Sequence, residues 1–123
     1  MFQFVRGIAL VAAMLLSCGA SFAEIDRLDT ANFMMARCRS FIAGTQGSQH
    51  RTGDEAFYSG VCVGTVDTLV FAGNGVCRPA GATVGQAVRI VVKYIDDRPA
   101  MHNETSFKLV ARHALRAAWP CKN

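Results

Sequence analysis

Cysteine usage constrains this chain more than any other feature. Once residues 1–23 are set aside, the cysteines left are Cys38, Cys62, Cys77 and Cys121. Residues 1–23 read as a secretory signal peptide. They carry a positive charge at Arg6, an apolar run from Ile8 to Leu16, and small residues at Ser21 and Ala23 before the cleavage point. The run is too short to remain across a bilayer. Cys18 leaves with the leader, and an even number of cysteines in an exported chain is the pattern of a disulfide-stapled domain. A second processing signal overlaps the first. Leu15-Leu16-Ser17-Cys18-Gly19 resembles a lipoprotein box, in which Cys18 is lipidated and becomes the first mature residue. Under either reading Cys18 stands outside the fold, and residues 24–123 form the expected domain.

A chain of about 100 residues makes one domain with a modest core, so cross-links contribute appreciably to its stability. The net charge of +4 includes Arg6 of the leader, and the remaining cations are spread along the chain. No basic stripe interleaved with aromatics appears, which argues against a nucleic-acid partner.

Apolar spacing divides the domain into four helices. The first runs from Thr30 to Ala43, with Phe33, Met34, Cys38, Phe41 and Ile42 on one side, and Gly44 ends it. A polar loop from Thr45 to Asp54 follows. The second helix is expected from Glu55 to Ala72, with Tyr58, Val61, Cys62, Thr65, Val66, Leu69 and Val70 recurring at three- and four-residue steps. Gly60 and Gly64 lie one turn apart, a spacing that lets another backbone approach, and Gly73-Asn74-Gly75 stops the helix. Thr83 with Gln86 forms a capping-box pattern ahead of Val84, Val88, Val91, Val92 and Ile95, and Pro99 marks the end. The β-branched run also suits a strand, but the cap, the length and the lack of alternation favour a helix. The fourth helix is expected to start at Asn103 as its cap. It would bury Phe107, Val110, Ala111, Ala114, Leu115 and Ala118, and close at Pro120. The fold class is therefore all-α.

Four cysteines allow three pairings, and sequence alone does not choose among them. The helical layout favours Cys38 with Cys62 and Cys77 with Cys121, because each bridge then closes one antiparallel hairpin.

Catalytic signals are absent. With the cysteines bridged, none is left as a nucleophile for His50, His102 or His113 to activate. Neither the cysteine spacing nor the histidines suggest a metal site, and no cofactor fingerprint occurs. Asp96-Asp97 reads as a solvated helix end, and the sequon Asn103-Glu104-Thr105 is explained by capping. The expected mode of action is binding, not catalysis. The segments most free to meet a partner are the loop with Gln46, Gln49, His50 and Arg51, and the turn with Asp97 and Arg98.

A longer pattern covers most of the domain, from Ala31 to Cys121. It runs Cys62-Val63-Gly64-Thr65, Cys77-Arg78-Pro79, Thr83 with Gln86, Val91-Val92-Lys93-Tyr94-Ile95, Pro99, His102, Ala114-Leu115 and Trp119-Pro120-Cys121. In this order it resembles the Tai and Rap immunity proteins, periplasmic partners of type VI secretion amidase effectors. The resemblance implies an all-helical periplasmic protein, commonly a homodimer, that binds a peptidoglycan amidase and blocks its cleft without catalysis or cofactor. The matched positions are architectural, so the resemblance names no inhibitory contact. A different class of function, a small periplasmic acid or stress chaperone, would need acid-triggered opening, which two bridged hairpins resist.

Overall fold

A computed structural model of the chain describes residues 29–47, 52–73, 75–103 and 106–122. The leader, with its cleavage point and Cys18, lies outside the described residues. So do Gln49, His50 and Arg51.

Three of the described helices begin where a side chain accepts an otherwise unpaired amide. Helix α1 spans Ala31–Thr45, and the Thr30 hydroxyl accepts from the Phe33 amide at 3.3 Å. Helix α2 spans Gly53–Phe71 and starts earlier than its apolar pattern suggests, because Thr52 and Glu55 form a reciprocal capping box. The Thr52 amide donates to Glu55 Oε2 at 3.0 Å, and the Glu55 amide donates to Thr52 Oγ1 at 3.3 Å. Asp54 and Glu55 in this first turn also suit the positive end of the helix dipole. The connection between α1 and α2 is thus shorter than the polar loop read from sequence: Thr45 belongs to one helix, and Gly53 and Asp54 to the other.

Helix α3, Val84–Asp96, carries the Thr83–Gln86 box, with bonds of 2.8 and 3.2 Å. Pro99 does not simply stop the chain. Its fixed φ starts a 3-10 turn, Pro99–Asn103, before helix α4, Phe107–Ala118. Asn103 therefore ends that turn and does not cap α4. The residue ahead of α4 is Ser106, whose side chain makes no capping bond. The first amide of α4, on Phe107, donates instead to the Asp29 carbonyl at 2.7 Å, and the Ser106 hydroxyl donates to the Asp29 carboxylate at 3.2 Å. A distant segment does here what a local cap does elsewhere.

The helices pack as two hairpins, α1 on α2 and α3 on α4, with α2 and α3 also in contact. Their shared core holds Met34, Met35, Val66, Val88, Val91, Ile95, Phe107 and Leu115. Cys38 and Cys62 are bridged within it, fully buried, with Cα atoms 5.4 Å apart. Cys77 and Cys121 are bridged at the surface, where Val76 pairs with Pro120 in an isolated antiparallel bridge. The described residues contain helices and no strand, so the β-branched run of α3 is helical.

Two packing expectations do not hold. Ala118 is exposed, because α4 ends there and the chain turns outward through Trp119. Gly60 and Gly64 are exposed too, and a Cβ placed on either meets nothing within 4 Å. No backbone among the described residues uses the room they leave.

Candidate partner-binding surfaces

The candidate residues read from sequence fall on separate parts of the molecule. Gln46 is exposed and serves as the C-cap of α1. Asp97 is the C-cap of α3 and accepts from Lys93 Nζ at 2.9 and 3.2 Å. Arg98 lies 3.9 Å from the centre of the Tyr94 ring and donates to the Tyr94 carbonyl at 3.2 Å. Beside them Asp96 pairs with Arg39 of α1 and faces His102 at 3.9 Å. Each carboxylate of the turn after α3 is thus matched by a cation, while Arg98 rests on Tyr94 without a carboxylate partner among the described residues. No hydrogen bond or ion pair connects Gln46 with Asp97 or Arg98 among the described residues.

A larger unsatisfied surface lies elsewhere, on α2. Phe57 is 66% exposed, Phe71 70% and Val61 38%, and Leu109 of α4 is 49% exposed. Val61, Gly64, Thr65, Thr68 and Leu69 line an almost wholly apolar depression of about 360 Å³, bordered by Lys108. Single exposed apolar residues are ordinary, but a stripe running the length of one helix marks a contact surface. Sequence spacing groups Val61, Thr65 and Leu69 with Cys62 and Val66 on one apolar side, yet Val61 is exposed, and Phe57, Phe71 and Leu109 fall outside that pattern and were missed. The available signal was Phe57 and Phe71 themselves, large aromatics off the Cys62–Val66–Val70 line.

At the N-terminal end of this stripe the aromatics are braced. Phe33 and Tyr58 meet edge to face at 5.5 Å, and Phe57 meets Tyr58 in the same way at 5.2 Å. The Arg37 guanidinium sits 4.6 Å from the Phe33 ring centre and 4.9 Å from that of Tyr58. Arg37 Nε is buried there without a hydrogen-bond partner, a cost that the two rings partly offset.

The described residues hold no cluster of three or more His, Cys, Asp or Glu side chains able to bind a metal ion. None of their helices is long and apolar enough to cross a membrane. The described residues form two helical hairpins, each closed by a disulfide.

The family model described as Rap1a immunity proteins matches residues 18–121. The chain belongs to the Rap1a immunity proteins. Membership agrees with the resemblance carried by the cysteine, capping and Trp-Pro-Cys positions, and makes the chain an immunity protein directed against a secreted effector. No curated protein and no solved structure matches it. The matched span takes in every described helix of this Rap1a family member and both disulfides.

Proposed function

We propose that this Rap1a family member acts in the periplasm, where it binds a peptidoglycan amidase effector of type VI secretion and holds it inactive one to one, without catalysis of its own. The observation that carries the reading is the family match across residues 18–121. Two disulfides fit a chain that folds after export behind residues 1–23, leaving 24–123 as the working domain.

The α2 stripe is assigned to a second copy of the chain. Phe57 and Phe71 lie about two turns to either side of Gly64, and Gly60 and Thr68 about one turn. An antiparallel pairing of two α2 helices about a two-fold axis at Gly64 therefore sets Phe57 against Phe71 of the other copy. The same pairing brings the acidic first turn, Asp54 and Glu55, toward Arg78, which stands 5.4 Å over the Phe71 ring. Such self-complementarity is what a two-fold interface requires.

The test is reconstitution with any secreted amidase that the neighbouring reading frames encode. The mature protein, purified oxidised, is titrated into a peptidoglycan-cleavage assay and the complex is sized by sedimentation. Loss of cleavage at a one-to-one ratio is the expected result. Undiminished cleavage at a tenfold excess of the chain would overturn the amidase assignment.

A further inference from the structure

Charge is divided along the α3–α4 hairpin. The carboxylates Asp96 and Asp97 stand at its closed end, and Asp29 packs against the start of α4. Each has a cation: Arg39 and His102 for Asp96, Lys93 for Asp97, and Lys108 at 3.9 Å for Asp29. The open end, about 20 Å away along α3, is the reverse. Arg89 is the sixth of the thirteen residues of α3, and its guanidinium reaches back toward Gly85 and donates to Thr45 Oγ1 at 3.3 Å; Arg116 lies in the last turn of α4, and Lys122 directly follows the bridged Cys121. All three are exposed, and none has a carboxylate within ion-pair distance among the described residues.

Beside Arg89 lies an open groove of about 600 Å³. Its walls include Pro79, Ala80, Ala82, Ile90 and Trp119, with Arg89 also lining it. Trp119 packs on the core and also lines the groove, so its indole is held in place. Around it the backbone is fixed three times over. Val76 pairs with Pro120, the Cys77 amide donates to the Trp119 carbonyl at 2.8 Å, and Cys77 is bridged to Cys121. A surface held this way loses little freedom on binding. Fixed tryptophan and arginine side chains at a concave site are also the residue types that dominate interface energies.

We infer that this open end is where the effector docks. The docking element is an acidic surface loop whose carboxylates meet Arg89, Arg116 and Lys122 while one apolar side chain enters the groove against Trp119 and Ile90. The inference rests on the reading of the chain as an immunity protein and names the chemistry of its partner. An anionic bilayer would also attract the three cations, but a flat lipid surface does not fill a concave apolar groove. Lipid recognition ordinarily draws on a denser basic cluster as well.

The experiment measures affinity of the oxidised mature protein for the purified amidase at low and at physiological salt, alongside co-sedimentation with phosphatidylethanolamine–phosphatidylglycerol vesicles. Three variants are compared with wild type: Arg89→Glu with Lys122→Glu at the open end, Arg39→Glu with Lys93→Glu at the closed end, and Ala80→Tyr to fill the groove without changing charge. Circular dichroism checks that each is folded. The open-end reversal should weaken binding about thirtyfold or more and flatten its salt dependence. Ala80→Tyr should weaken it about tenfold with the salt dependence retained, and the closed-end reversal should stay within about threefold. Equal losses from both reversals, or unchanged amidase affinity in the open-end variant, would overturn the inference alone. So would vesicle binding abolished by the open-end reversal while the amidase still binds. A wild-type protein that binds no amidase overturns the functional reading, and the inference falls with it.

Discussion

The Cys77 amide donates to the Trp119 carbonyl at 2.8 Å, so the chain after α2 is held against the end of α4 by its backbone as well as by the Cys77–Cys121 bridge. That bridge is exposed, whereas Cys38–Cys62 is sealed in the core. A mild dithiol should therefore reduce Cys77–Cys121 first, with helical content preserved, and Cys38–Cys62 only as the protein unfolds. Alkylation followed by peptide mass spectrometry reads the order directly. Loop lengths of 24 and 44 residues give similar chain-entropy contributions, about 3–4 kcal/mol each. Removing Cys38 and Cys62 together should nevertheless cost more, because their replacement by alanine also leaves a cavity.

Capping separates two positions that look alike in sequence. Thr83 makes both bonds of a capping box, while Asn103 ends the 3-10 turn and caps nothing. Thr83→Ala should lower stability by about 1 kcal/mol, and Asn103→Ala by less than about 0.5 kcal/mol. Urea denaturation of the two variants checks this, and equal losses would show that Asn103 does cap α4.

The core contains one residue that packing wants and one that it tolerates. Phe107 is fully buried at the start of α4, and Phe107→Ala should cost about 3–5 kcal/mol. Ser59 is buried in α2 with a hydroxyl that finds no partner. Ser59→Ala removes an unsatisfied group and improves helix propensity, so it should raise stability by about 1 kcal/mol. Thermal unfolding of both gives opposite signs if the assignment is right.

Gly60 and Gly64 distinguish folding from assembly. Neither has a neighbour where a Cβ would go, so Gly60→Ala and Gly64→Ala should each stabilise the isolated chain by about 0.5–1 kcal/mol. A larger group at the proposed axis, as in Gly64→Phe, should leave the helices intact and abolish self-association in sedimentation equilibrium. A variant that still self-associates would move the interface away from α2.

Much of the fold was legible locally. Thr83 with Gln86 and the four-helix pattern announce themselves because caps and amphipathic stripes are short-range features, whereas Thr30, read as the first residue of a helix, proves to be its cap. The start of α2 was equally local, in Thr52 and Glu55, but was hidden by reading the polar stretch before it as loop. The start of α4 was not legible. Its first amide is satisfied by Asp29, a partner far away in sequence that only packing brings near. The binding surfaces divide in the same way. Gln46, Asp97 and Arg98 were readable as polar and exposed, yet Asp97 and Arg98 are engaged by neighbours on their own helix.

By itself the sequence determined the helical class, the number of helices, and four cysteines available for bridging, since each follows from spacing and composition. Tertiary structure decided which cysteines meet, because three pairings were open and only the packing of two hairpins brings particular sulfurs together. It also decided what stays uncovered. Whether Phe57 and Phe71 are core or surface depends on which side of α2 the other helices occupy, and the separation of matched from unmatched charge along α3 and α4 exists only once those helices lie side by side.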